Sequence, residues 1–277
     1  MISVIILTFN EEQNIAACLD SVKWSDDVLV LDSFSTDRTV EIARASGARV
    51  LQNRFTNFAE QRNFGLAHGG FKHDWILHLD ADEIVTQELR DEVRAAVQDS
   101  KRDAYQVASK MMFNGHWLRY AGLYPSYQVR FGRREKLRFV QVGHGQREQM
   151  SAGKIGTLKS SLVHNSFSKG IHDWLEKHNR YSLAEALDLM QKEKGEALDI
   201  AGVFTVSDPV RRRRALKRLS FRLPCRPALR FIYMYFFRLG FLDGRAGVTY
   251  CRLLSMYEYM INLKVDELRR QARGLVV

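Results

Sequence analysis

Four short apolar runs, separated by amphipathic stretches, constrain this chain most. Residues 4–7, 28–31, 49–51 and 75–79 are rich in Val, Ile and Leu and read as strands buried on both faces. Between them lie helical patterns. Residues 10–22 place Ile15, Ala16, Leu19 and Val22 on one face. Ser35-Thr36-Asp37 offers an N-cap to a helix whose apolar side is Val40, Ile42 and Ala43, with Gly47 as its C-cap. Residues 57–67 and 88–97 complete the series. A βαβα rhythm implies an α/β fold, with a mostly parallel sheet covered by helices.

The carboxylates sit where such a sheet binds ligands. Asp32 ends the second strand, and Asp80, Asp82 and Glu83 follow the fourth. Open α/β sheets bind ligands beyond the carboxyl ends of their strands, so these acids should share one crevice. Two carboxylates one residue apart can hold a hard divalent cation such as Mn²⁺ or Mg²⁺. Such an ion can bridge nucleotide phosphates and neutralise a departing diphosphate.

From residue 104 the rhythm changes. Residues 105–108 and 128–131 look like strands in a mixed, loop-rich segment suited to an acceptor pocket, and residues 173–192 read as a helix. His172 and His178 lie six apart and share no helix face well. Trp174 and Tyr181 read as packing residues. The charge of +10 is unevenly placed: nine basic residues and no acidic one lie from Arg211 to Arg230. The aromatic run Phe231-Ile232-Tyr233-Met234-Tyr235-Phe236-Phe237 follows. Seven apolar residues cannot span a bilayer, but a basic stretch beside an aromatic one suits a helix on an anionic membrane surface. The helical pattern at 250–270 can pack back on the domain or form a homodimer contact. Three scattered cysteines lack metal-ligand spacing, and no secretory signal is visible, which points to a reducing, cytoplasmic setting.

Four segments carry a resemblance. Leu7-Thr8-Phe9-Asn10-Glu11-Glu12, Val30-Leu31-Asp32-Ser33-Phe34-Ser35-Thr36-Asp37-Arg38-Thr39, Gln61-Arg62-Asn63-Phe64-Gly65 and Leu79-Asp80-Ala81-Asp82-Glu83 occur in order over residues 1 to 100. In order and spacing they resemble family 2 inverting glycosyltransferases. The stretches His164-Asn165-Ser166 and Lys177-His178-Asn179-Arg180-Tyr181-Ser182 look most like the lipopolysaccharide core β-glucosyltransferases. The resemblance implies the GT-A fold, with a catalytic domain over residues 1–205. Residues 1–103 would form its nucleotide-sugar half and 104–205 its acceptor half, followed by a basic, aromatic helical extension over 206–277.

It also implies roles. Thr8, Asn10 and Glu11 would line the nucleotide end of the crevice, and Asp32 would contact uracil or ribose. Arg62 and Asn63 would lie near the diphosphate or donor sugar. Asp80, with Ala81 beside it, would contact ribose or metal-bound water. Asp82 would bind the metal, and His164 would approach the metal or diphosphate. The chain departs from the family at Ser33 and Phe34, where many members have a second Asp and a Gly. The base that deprotonates the acceptor would be Glu148, with His144 its rival. A surface salt bridge from Glu148 to Arg147 or Arg130 is the structural alternative. Trp117, Tyr120 and Tyr124 are candidates for stacking on sugar, with residues 115–118 as a lid.

The implied reaction moves a sugar, glucose favoured, from a UDP-sugar to a glycolipid such as the lipopolysaccharide core, at the inner face of the cytoplasmic membrane. Another surface polysaccharide or lipid-linked acceptor is the alternative. A basic nucleic-acid-binding protein is a distant one, since no recognised nucleic-acid motif accompanies the arginines. A nucleotidyltransferase would need a glycine-rich phosphate loop after the first strand, where this chain has the acidic Thr8-Phe9-Asn10-Glu11-Glu12.

Overall fold

The computed structural model describes residues 1–142, 145–150, 154–195, 199–205, 208, 212, 215 and 225–276. Contacts divide the chain into two compact units, Met1–Ile171 and His172–Val277.

The first unit opens with the expected alternation. Strands β1 (Ser3–Thr8), β2 (Val28–Asp32), β3 (Arg49–Gln52) and β4 (Trp75–Asp80) alternate with helices α1 (Ile15–Ser21), α2 (Thr39–Ala45) and α3 (Phe58–His68). The four strands pair in parallel in the order β3-β2-β1-β4. Both faces are covered, as their continuous apolar runs require. Val4, Ile6, Leu77 and Leu79 face a core with Ile15, Leu19, Leu89 and Val93. Ile5, Leu7, Leu29 and Leu31 face Ala59, Leu66 and Phe71 on the other side. Helix α3 comes so close that a Cβ on Gly65 would lie 2.3 Å from Ile5 Cδ1. Only glycine fits there without displacing that side chain. Asn57 caps α3 by accepting from the Glu60 N–H at 2.9 Å.

The sheet then becomes mixed. Its further strands are β5 (Glu83–Val85), β6 (Ala104–Phe113), β7 (His116–Trp117), β8 (Tyr127–Arg133) and β11 (Ile155–His164). Helix α4 (Gln87–Ala96) follows β5. Beyond β4 the order runs β8-β6-β11-β5, and β7 folds back on β6. A separate ribbon pairs β9 (Phe139–Val142) with β10 (Gly145–Glu148). Strand β5 pairs at the far end of this path, yet only Ala81 and Asp82 separate it from β4. Three peptide steps reach about 11 Å at most. The sheet must therefore curl until its last strand meets the end of β4.

In the second unit, α5 (Gly170–Gly195) and α6 (Ile200–Phe204) precede α7 (Arg226–Ile232), a π-helical turn over Tyr233–Phe237, a 3₁₀ turn over Gly240–Asp243 and α8 (Gly244–Ala272). Ile261 and Val265 of α8 bury against Ala186 of α5. Trp174 stacks on His178 at 3.6 Å, and His178 meets Tyr257 edge-on at 5.0 Å. Arg226 and Glu258 pair at 2.6 Å. Most of the basic run lies outside the described residues: Arg211, Arg213, Arg214, Lys217, Arg218 and Arg222. Among the described residues, no helix is long and apolar enough to cross a membrane.

Candidate active site

The sheet register brings the strand-end residues together. Thr8 stands opposite Asp32, and Leu7 opposite Asp80, at the carboxyl ends of three adjacent parallel strands. Asp32 is fully buried and accepts from Thr8 Oγ1 at 3.0 Å, Gln52 Nε2 at 2.9 Å, the Ser35 N–H at 3.0 Å and the Ser35 hydroxyl. In this structure it organises the loop that follows β2.

That loop is laced to the one after β1. The Asn10 N–H donates to Ser35 Oγ at 2.8 Å, and Asn10 Oδ1 accepts from the Thr36 N–H at 2.8 Å. The Glu11 N–H donates to Thr39 Oγ1 at 2.7 Å, and the Glu12 N–H to Asp37 Oδ2 at 3.1 Å. Lys169 crosses to this loop and pairs with Glu11 at 2.5 Å. Burial pushes the Glu11 carboxyl up, against the opposing pull of Lys169 and Asn14.

The two aspartates after β4 have different surroundings. Asp80 Oδ1 meets Arg62 Nη2 at 2.8 Å, and Oδ2 meets Arg130 Nη2 at 2.8 Å. Arg130 also holds the buried Glu83 at 2.6 Å. Two guanidiniums thus balance two carboxylates beneath the crevice. Burial works to raise the Asp80 pKa, but Arg130 and Arg62 outweigh it and hold the carboxyl well below its usual range. Burial wins at Glu83, which is pushed up despite Arg130. Arg62 Nε and Nη1 have no hydrogen-bond partner among the described residues, nor do both ring nitrogens of the buried His78.

Asp82 stands at the mouth instead. Its Oδ2 lies 3.2 Å from His164 Nε2, with the two side chains 22% and 27% exposed. The β5–β11 pairing sets Glu83 opposite His164, and the Asn165 N–H donates to the Asp82 carbonyl at 2.8 Å. Burial works to lower the imidazole pKa, but Asp82, Glu83 and Asp80 raise it to about 9. One carboxylate beside one imidazole is a donor pair that a divalent ion such as Mn²⁺ would take once the imidazole gives up its proton. Among the described residues no preformed group of three or more acidic, His or Cys side chains could hold a metal. Further ligands would have to come from substrate or water.

The other sequence candidates are placed as follows. Arg62 turns inward to Asp80 and is 2% exposed. Asn63 clamps β9 with both ends of its amide, donating to the Phe139 carbonyl at 2.8 Å and accepting from its N–H at 3.0 Å. Ala81 is buried, and its N–H donates to the Leu7 carbonyl at 3.2 Å. Glu148 lies on β10 opposite Phe139. His144 falls outside the described residues. Trp117 packs edge-on against Tyr124 at 5.0 Å, with Lys110 and Arg119 over its ring. The sequence offered Glu83 only as one of the crevice acids and Arg130 only as a surface partner for Glu148, and it gave no role to Lys169; in the structure Arg130 is buried and pairs with Asp80 and Glu83. Arg130 had a signal: it is a lone cation in the apolar strand run Val129-Arg130-Phe131, all buried. A buried cation requires a buried anion.

Comparison with known proteins gives the family and the fold. An uncharacterized glycosyltransferase of Rickettsia typhi is 27% identical over 287 residues, spanning 99% of this chain and 90% of the relative. One from Rickettsia bellii is 32% identical over 205 residues, spanning 70% and 69%. A mannosyltransferase from Pyrobaculum calidifontis, solved in complex with GDP-Man and Mn²⁺, superposes with a TM-score of 0.50 at 17% identity, covering 95% of this chain and 86% of that one. That likeness shows the GT-A fold. The profile of Glycosyl transferase family 2 matches residues 3–147, more than half of the chain, and this chain belongs to that family.

Proposed function

We propose that the chain transfers a sugar, glucose first among candidates, from a UDP-sugar to a hydroxyl of a glycolipid or saccharide acceptor, with inversion at the anomeric carbon. The observation that carries this is the Asp82–His164 pair at the mouth of the crevice. Those two side chains would hold Mn²⁺ or Mg²⁺. The bound ion would neutralise the charge gathering on the departing diphosphate. The Mn²⁺ in the mannosyltransferase complex supports this reading.

The protein's own groups do the rest. Arg62 and Arg130 hold Asp80 and Glu83, and so fix the turn that presents Asp82. Thr8 and the loop ordered by Asp32 line the nucleotide side. Glu148 is the proposed base, with His144 its rival. It would take the acceptor hydroxyl proton as the acceptor oxygen bonds to the anomeric carbon. The bond from that carbon to the diphosphate oxygen breaks, and UDP leaves with the electron pair.

The test incubates the protein with UDP-sugars and lipopolysaccharide core or other glycolipid acceptors, reads UDP release, and assigns the product anomer by NMR. Release should require divalent metal and fall with EDTA. Absence of release with every donor, or release indifferent to EDTA and to Asp82→Ala, would overturn the reading.

The second unit supports a location for the acceptor. Tyr233, Phe236, Phe237, Phe241 and Leu242 are exposed, Phe237 by 76%. From Arg211 to Arg238 the sequence holds ten basic residues and no acidic one. Aromatics beside cations suit an anionic lipid surface, where each cation contributes about 1 kcal/mol. The protein should float with vesicles containing phosphatidylglycerol and be released by salt. Phe236→Ser with Phe237→Ser should weaken flotation several-fold, and unchanged flotation would sink the membrane reading.

A further inference from the structure

We propose that Phe34 is a wall of the nucleobase pocket, stacking on the base of the donor and setting affinity for the nucleoside diphosphate. The proposal rests on the glycosyl-transfer reading and adds a specificity-determining residue to it. Phe34 has φ of 62° and is 54% exposed. Both properties are unfavourable. A left-handed backbone crowds the Cβ of any L residue against its carbonyl, and a bulky residue there is an outlier. A large apolar ring also stands in water.

The flanking residues hold it there. The Ser33 N–H donates to the Thr8 carbonyl at 2.9 Å, and the Ser35 N–H to Asp32 Oδ2 at 3.0 Å. The Thr36 N–H donates to Asn10 Oδ1 at 2.8 Å. Both sides of Phe34 are therefore pinned by residues of the crevice itself, so its backbone cannot relax. Strain that the surroundings over-determine in this way collects at ligand clamps.

The position matches a ligand. Phe34 lies two residues beyond the carboxyl end of β2, where parallel sheets bind ligands. On the adjoining strand, Phe9 follows the carboxyl end of β1 and is also 54% exposed. Two exposed aromatics at adjacent strand ends offer π-faces to a planar base. Such stacking is worth about a tenfold or larger change in affinity per base.

The experiment measures binding of UDP, GDP and pyrophosphate by calorimetry, with melting temperature alongside, for wild type, Phe34→Gly, Phe34→Leu and Phe34→Trp. Glycine tolerates the positive φ, so Phe34→Gly should melt a few degrees higher while binding UDP about tenfold more weakly. Phe34→Leu keeps the backbone strain but loses the π-face, and should bind UDP more weakly without a gain in melting temperature. Phe34→Trp should retain affinity. Pyrophosphate, which lacks a base, should bind every variant as it binds wild type. UDP binding by Phe34→Gly equal to that of wild type overturns the proposal and leaves glycosyl transfer standing. Failure of wild type to bind either nucleotide overturns both.

Discussion

The two halves of the curled sheet divide the labour of the site. In the parallel half, β3-β2-β1-β4, the residues of the crevice come from the ends of neighbouring parallel strands, and the loops after β1 and β2 are tied by polar contacts between residues 25 to 28 apart in the chain. The mixed half supplies what those strands lack: Arg130 from β8, Glu83 from β5 and His164 from β11. The first half shapes a crevice, and the second fixes its charge. A turn as short as Ala81-Asp82 joins them, so a defect in the second half should be felt in the first.

Arg130→Met should test this most severely. It leaves the buried Glu83 without its cation and takes one of two from Asp80. Removing one partner of a buried ionic group costs about 3–5 kcal/mol. Urea unfolding would read the loss, and a cost under about 1 kcal/mol would break the division of labour proposed here. Asp82→Ala should lower kcat/KM about 100-fold, equivalent to about 2.7 kcal/mol, while melting stays within a few degrees of wild type. Equal losses of activity and stability would show that Asp82 holds the fold rather than the metal.

Arg62→Met sharpens the contrast. Asp80 keeps Arg130, and the methionine still fills apolar space, so the stability cost should be about 1 kcal/mol. A cost matching that of Arg130→Met would mean that the two arginines act as one unit. Asp27 tests the parallel half alone. It accepts from Ser3 Oγ at 2.5 Å, the Lys72 N–H at 2.8 Å and Arg49 Nη2 at 2.8 Å. Burial works to raise its pKa, but those bonds outweigh it and hold the carboxyl below its ordinary 3.8. A lowered folded pKa stabilises the protein above the unfolded value, and that contribution is lost as pH falls through the folded one. Asp27→Asn should cost about 1–2 kcal/mol at neutral pH, and the gap from wild type should narrow below about pH 4. A gap that stays constant down to acid would show that charge plays no part.

Much of the parallel half was legible in the sequence. Its strands are buried on both faces, so they appear as continuous apolar runs. The helices are longer or shorter than their patterns by a few residues at each end; α1, for example, begins at Ile15 because residues 11–14 form a turn closed on the Glu11 carbonyl. The mixed half was poorly legible. Strands β5 and β7 have three and two residues, too few to show a period, and β9 and β10 lie in a ribbon apart from the main sheet.

By itself the sequence determined the α/β class, the carboxylates at strand ends and the family, because each depends on local pattern and order along the chain. Only the tertiary structure decided which partners each of the two aspartates meets. Asp80 and Asp82 are chemically identical and one residue apart. Curling of the sheet carries Arg130 to the first and His164 to the second, across separations of 50 and 82 residues. Such long-range partners leave no periodic trace in the sequence, because their meeting depends on strand register and sheet curvature rather than on neighbouring residues.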